Sequence, residues 1–161
     1  MTLAAIALGS NIDPKKNLQE AASLLRARFP GIRFSRVYRT APEGYTNQAD
    51  FFNAAAVFDT EDSPEQIYDV LTRIESALGK ATPFKNGPRT IDLDLIVCGD
   101  AMLDSSTLTL PHPRAHTRRF VLEPLTELLP SDLQHPALGQ TWQELLSAMP
   151  SQKAEITDVK L

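Results

Sequence analysis

Two acids set the chemistry this chain can offer. Asp92 and Asp94 stand one strand period apart in Ile91-Asp92-Leu93-Asp94-Leu95-Ile96-Val97-Cys98, an apolar run that follows the turn signal Gly87-Pro88. Strand side chains alternate between faces, so both acids project together while Ile91, Leu93, Leu95 and Val97 take the other side. Two carboxylates so placed repel each other unless positive charge lies between them. A hard cation such as Mg²⁺, shared between carboxylate oxygens and a substrate's phosphates, meets that need. Arg89, just upstream, can hold a phosphate through two parallel hydrogen bonds. The competing reading of a bare Asp-x-Asp is an edge strand with a solvated acidic face.

The chain around this stretch has 161 residues, 42% hydrophobic and 22% charged, the balance of one ordinary globular domain spanning 1–161. A net charge of −4 argues against broad nucleic-acid binding. No apolar run is long enough to span a membrane and Met1-Thr2-Leu3 lacks a charged secretory start, which makes a cytoplasmic address the default. Cys98, the sole cysteine, lies in the apolar strand and reads as a buried structural thiol.

The elements that must position the acids follow from periodicity. Leu3–Leu8 reads as a buried strand ended by Gly9-Ser10-Asn11. Asp13-Pro14 offers an N-cap for a helix carrying Leu18, Ala21, Ala22 and Leu25 and closed by Pro30-Gly31. Ile32–Tyr38 alternates as a second strand, and Arg39–Asp50 is a polar loop. Phe51–Phe58 is a third strand. Ser63 and Gln66 have capping-box spacing before the stripe Ile67, Val70, Leu71, Ile74, Leu78. Glu75 stands outside that stripe in the last turn, where the helix dipole disfavours an acid, so it is either solvated or held by a partner. Leu108–Leu110 adds a short strand, 111–120 is polar and basic, and apolar helical turns run to Leu129. A last helix near Thr141–Ala148 buries Trp142 or Leu145, His135 reads as a surface loop residue, and the tail after Pro150 reads as loosely held. The order βαββαβ predicts an α+β, ferredoxin-like core: a mostly antiparallel sheet with two helices on one face, the other face free for loops and ligand, and C-terminal additions.

Six stretches support a family resemblance. They are Leu8-Gly9-Ser10-Asn11, Tyr38-Arg39-Thr40, Phe52-Asn53-Ala54-Ala55, Gly87-Pro88-Arg89-Thr90-Ile91-Asp92-Leu93-Asp94, Leu110-Pro111-His112-Pro113, and Arg118-Arg119-Phe120-Val121-Leu122-Glu123-Pro124-Leu125. In this order and spacing the chain resembles, over 3–130, the 6-hydroxymethyl-7,8-dihydropterin pyrophosphokinases of folate biosynthesis. Those enzymes transfer the terminal pyrophosphate of ATP to the pterin's hydroxymethyl group. The resemblance implies that Asp92 and Asp94 hold two Mg²⁺ ions, with Arg89 beside them. It implies that Phe51 and Phe120 sandwich the pterin ring, that Asn53 pairs with its edge, and that Thr40, Ala41 and Glu43 surround it. Glu75, Lys80, Lys85, Arg89, His112 and Arg118 then face ATP. The family's usual habit is a monomer with small-molecule substrates only.

Taken singly, Phe51 and Phe120 are more often core residues than ligand plates. Asn53 in an apolar strand is harder to explain by packing, since a buried amide needs partners. His112 and His116 could be read as a metal pair, but Pro113 opposes the helix that spacing requires and no third ligand is evident. The chain departs from its relatives between Gly79 and Gly87. Lys80, Lys85, Thr82 and Asn86 stand there in place of arginines and a tryptophan, with Phe84 as the replacement aromatic beside Pro83. Two other readings remain: a catalytically weak pterin- or nucleotide-binding paralogue, and a metal-dependent phosphohydrolase using the same acids.

Overall fold

The computed structural model describes residues 1–79, 84 and 86–161. Its main sheet contains β1 (Thr2–Ser10), β2 (Arg33–Phe34), β3 (Tyr38–Thr40), β4 (Phe51–Thr60), β5 (Asp92–Cys98) and β8 (Ala154–Ile156). The order is β5-β1-β4-β3-β8, with β2 also on β4, and every pairing is antiparallel. Helices α1 (Pro14–Arg28) and α2 (Pro64–Ala77) complete the ferredoxin-like βαββαβ core. A separate hairpin, β6 (Leu103–Asp104) and β7 (Thr109–Leu110), precedes a 3₁₀ turn (Ala115–Thr117), α3 (Arg119–Leu128) and α4 (Trp142–Ser147).

Alternation along the central strands builds two cores. Ala4, Ile6 and Leu8 of β1, with Ala54, Ala56 and Phe58 of β4, pack with Leu18, Ala21 and Leu25 of α1 and Ile67, Leu71 and Ile74 of α2. Ala5, Ala55 and Val57 point the other way, against Val121, Leu122 and Leu125 of α3 and Trp142 and Leu145 of α4. The second face is therefore not left free as expected. The apolar turns after Arg118 cover one half of it. Glu127 fastens α3 there by accepting from the Arg36 N–H, the Arg36 Nε and the Tyr38 hydroxyl. Burial and that carboxylate push the Tyr38 phenol up to about 12.

Local chemistry explains the helix starts. Ser63 and Gln66 form the expected capping box, Ser63 Oγ accepting from Gln66 N at 3.2 Å and Gln66 Oε1 accepting from Ser63 N at 2.8 Å. Asp13 does not cap α1 through its side chain: it lies at φ 42°, and the Asn17 amide instead donates to the Ile12 carbonyl.

Four further expectations are corrected. The strand read over Ile32–Tyr38 is broken into β2 and β3, because Ser35 Oγ accepts from Ala55 N at 2.8 Å and an extra residue enters the pairing with β4. β3 consequently runs on to Thr40, into the stretch read as loop. Val97 does not share a face with Leu93 and Leu95. The register against β1 slips by one residue at Ile96, so Ile96 and Val97 both join the second core. The tail is not loosely held: β8 pairs with the edge of β3, Thr157 N donates to Val37 O at 2.9 Å, and Val159 is buried. That edge carries unpaired backbone groups, which the tail satisfies. His135 is buried rather than exposed, its Nδ1 accepting N–H bonds from Ala137 and Leu138. Cys98 is buried as expected, and burial pushes its thiol pKa up.

Candidate active site

The uncovered half of the second sheet face is a cavity of about 400 Å³. Its floor is made by what β1 lacks. Gly9 pairs with Asn53 on one side and Asp92 on the other, and Ala7 lies between Ala55 and Asp94. A Cβ on Gly9 would stand 3.1 Å from Asn53 Oδ1, so glycine keeps the floor open between the amide and the acids. Small floor residues flanked by three polar side chains on one face make a site rather than a core.

The structure brings most of the expected residues to this cavity. Thr40, Ala41, Glu43, Phe51, Asn53, Arg89, Asp92, Asp94, His112, Arg118 and Phe120 all line it. Asp92 is half-buried and Asp94 exposed. Asn53 is 6% exposed, and its amide nitrogen donates to Thr40 Oγ1 at 2.9 Å, which fixes the side chain across the floor. Phe51 and Phe120 are each partly exposed and line the cavity, Phe120 also packing against the second core. Arg118 lies 5.6 Å above the Phe120 ring, a cation–π contact that holds both.

Glu75 and the two lysines stand apart. Glu75 is not among the described lining residues. Its Oε2 accepts from Leu93 N at 2.9 Å and pins α2 to the start of β5. It is held by a partner, which decides between the two readings of that helix acid. Lys80 and Lys85, like Thr82 and Pro83, lie outside the described residues.

Arg89 is engaged at home. Its Nη1 donates to the carbonyls of Gly87 at 2.6 Å, Pro88 at 3.2 Å and Phe84 at 3.3 Å, and its Nε is 3.6 Å from Asp92 Oδ2. The guanidinium thus shapes the turn feeding β5 and places positive charge beside the first acid.

Sequence reasoning missed how this turn is anchored. Asn11 donates from Nδ2 to Gln48 Oε1 and Ala49 O, accepts at Oδ1 from Arg89 N at 2.8 Å, and donates its own N–H to Arg89 O. Ser10 Oγ donates to Thr90 O at 2.6 Å. One Ser-Asn pair at the end of β1 therefore clamps the 41–50 loop and the Gly87–Thr90 turn over the cavity edge. Gln48 Nε2 adds a bond to Asn86 O at 2.6 Å, and Tyr45 meets Phe84 edge to face at 4.8 Å between centroids. The signal was present, since Ser10 and Asn11 break an apolar strand abruptly, but their partners lie tens of residues away.

The extra residue at Ile96 also positions the basic segment. The Ile96 carbonyl accepts from His112 N at 2.9 Å, hanging His112–Phe120 over the acid strand. His112 Nδ1 accepts from Arg114 N at 3.2 Å, so the neutral ring keeps its proton on Nε2. Burial first, then the charges of Arg118, Arg114 and His116, push the His112 pKa down to about 4. At neutral pH it is an uncharged donor.

Among the described residues no group of three or more His, Cys, Asp or Glu side chains could cage a metal by itself. Two carboxylates on one cavity wall instead suit Mg²⁺, which keeps water and phosphate oxygens in the rest of its shell. No helix among the described residues is long and apolar enough to cross a membrane.

An acid pair, cationic groups and aromatic faces around one cavity suit an enzyme that handles a phosphate chain beside a flat ring. The chain belongs to the 7,8-dihydro-6-hydroxymethylpterin-pyrophosphokinase family, whose model matches residues 5–130. It is 37% identical over 145 residues to the 2-amino-4-hydroxy-6-hydroxymethyldihydropteridine pyrophosphokinase of Bacillus subtilis, covering 88% of this chain and 87% of that one. The enzyme of the same name from Pseudomonas aeruginosa is 38% identical, covering 93% of each. The folic acid synthesis protein fol1 of Schizosaccharomyces pombe is 38% identical over 154 residues, and the matched part is 21% of its length. A crystal structure of Plasmodium falciparum HPPK-DHPS superposes with a TM-score of 0.69 at 16% identity, covering 91% of this chain and 45% of that one. That likeness speaks for the fold.

Proposed function

We propose that this chain transfers the terminal pyrophosphate of ATP to the hydroxymethyl group of 6-hydroxymethyl-7,8-dihydropterin, leaving AMP. One observation carries the reading: Asp92 and Asp94 face the same cavity as Phe51, Asn53 and Phe120. Phe51 and Phe120 take the ring faces, and the Asn53 amide with the backbone of Thr40, Ala41 and Glu43 takes its donor and acceptor edge. His112 Nε2–H and the Arg118 guanidinium bind phosphate oxygens. Glu75 and the loop lysines Lys80 and Lys85 complete the nucleotide side.

In the reaction the hydroxymethyl oxygen bonds to the β-phosphorus while the bond to the bridging oxygen of the α-phosphate breaks, and AMP leaves with that oxygen. Asp92 and Asp94 are the residues that would hold Mg²⁺, which when bound neutralises the phosphate chain and acidifies the attacking hydroxyl. Asp94 is solvent-exposed and offers the departing proton a path to water. Arg89 keeps positive charge beside Asp92 and holds the turn that delivers both acids. The protein's work is chiefly positioning and electrostatic stabilisation. One chain supplies all these groups, so we infer that it acts as a monomer.

AMP release from Mg·ATP, with and without the pterin, tests the reading beside Asp92→Ala. AMP that forms only with the pterin and disappears in the variant is the expected result. Saturable pterin binding without AMP would instead assign the chain to non-catalytic pterin binders. Phosphate release without the pterin would point to a hydrolase.

A further inference from the structure

Three cationic or donor side chains crowd one wall of the cavity: His112, Arg114 and Arg118. Arg118 lies over the Phe120 ring and His112 is uncharged at neutral pH. Arg114 differs from both. It is exposed at the cavity, it precedes the 3₁₀ turn, and no carboxylate among the described residues pairs with it. Arg119, farther along the same basic segment, shows the contrast: its Nε lies 3.2 Å from Glu123 Oε2, a local ion pair, and it is not among the lining residues.

The backbone of Arg114 is not idle. Its N–H donates to His112 Nδ1, and its carbonyl accepts from Thr117 N at 3.1 Å and Thr117 Oγ1 at 2.8 Å. The residue is thus fixed at both main-chain groups while its side chain remains available. An arginine held this way in the same cavity as an acid pair is suited to a polyanion bound there. The pterin ring carries no charge to attract it, whereas the phosphate chain of the nucleotide does.

We propose that Arg114 binds the phosphate chain of ATP directly, forming with His112 a single anion clamp in which the Arg114 N–H sets the imidazole tautomer and the guanidinium supplies the charge. This rests on the pyrophosphokinase reading above and adds a residue to it. Because Arg114 is exposed, its replacement leaves folding intact, which a thermal melt checks.

The experiment is steady-state kinetics of AMP formation with Arg114→Ala, Arg114→Lys and Arg119→Ala, with calorimetric titration of each by a non-hydrolysable ATP analogue. Arg114→Ala lowers kcat/KM for ATP at least about tenfold and weakens the analogue similarly, with the KM for the pterin within about twofold. Arg114→Lys recovers part of the loss, since it keeps charge without the fork. Arg119→Ala stays within about twofold of wild type, because its side chain pairs locally with Glu123 outside the cavity lining. Unchanged ATP kinetics and analogue binding in Arg114→Ala overturn the assignment. So does an equal loss in Arg119→Ala, which would make the effect one of overall charge, or an equal loss for the pterin. If wild type forms no pterin-dependent AMP, the enzyme reading fails by itself, and analogue binding still decides the role of Arg114.

Discussion

The two halves of one sheet face have opposite fates. Where Ala5, Val57, Ile96 and Val97 point outward, α3 and α4 close over them and Leu122, Leu125 and Trp142 are buried. One or two strand periods along the same three strands, Ala7, Gly9, Asn53, Asp92 and Asp94 point outward and the face stays open. The backbone pairing continues across both halves, so side-chain type decides. Apolar groups gain by excluding water. Carboxylates and an amide lose unless they keep water or a ligand. The fold has placed a core and a site on one surface.

The widest separation between the halves comes from removing an acid. Asp94→Asn is expected to lower the rate of pyrophosphate transfer on the order of a thousandfold, with an unfolding midpoint near that of wild type, because Asp94 is exposed. A variant that stayed active would return the acid strand to a solvated edge. The converse probe lies in the closed half. Leu122 is fully buried against the sheet, and Leu122→Ala is expected to cost about 3 kcal/mol of stability. Denaturant titration checks the stability. Activity per folded molecule should stay within about twofold; a large loss there would mean the halves are not separable.

What could be read from sequence divides along the same line. Signals that are local in the chain were legible: the alternation that puts Asp92 and Asp94 together, the capping box at Ser63, and the stripe Ile67, Leu71, Ile74. Glycine and asparagine at Gly9 and Asn53 were visible as interruptions, although Asn53 reached its role through the family resemblance. Long-range bonds were not legible. Nothing near Asn11 announces that its amide will hold Gln48 and Arg89, and nothing near Val97 announces the inserted residue that turns it round. The tail was misread for the same reason, since Val37 becomes its partner only when the chain is folded, and His135 because the rings of His116 and Trp142 come to lie beside it. At Asp13 the propensity for capping lost to a left-handed backbone.

Gly9 marks the boundary between the halves, so a methyl group there sharpens it. With Asn53 Oδ1 3.1 Å from the added Cβ, Gly9→Ala narrows the floor without touching an acid. The expected outcome is a rise of about tenfold in the KM for the pterin, with a smaller change for ATP. Equal effects on both substrates would show that Gly9 serves strand packing rather than the ring pocket.

The smallest effect concerns the segment that bridges the halves. His112 hangs from the Ile96 carbonyl above the acids, and burial together with Arg118, Arg114 and His116 pushes its pKa down to about 4. The unfolded chain holds histidine near its ordinary value of about 6.5, so between these values the unfolded state binds more protons. The stability gained by keeping the ring neutral is therefore complete above about pH 6.5 and is lost as pH falls through about 4. His135, also pushed down by burial and by His116, adds to the same acid limb. Thermal melts from pH 7 to pH 4 should show a falling midpoint in wild type and a shallower fall in His112→Gln, with His135 and Glu127 contributing to the fall that remains. Parallel curves for the two proteins would mean that His112 charges without strain, and that the bridge holds through its backbone bonds alone.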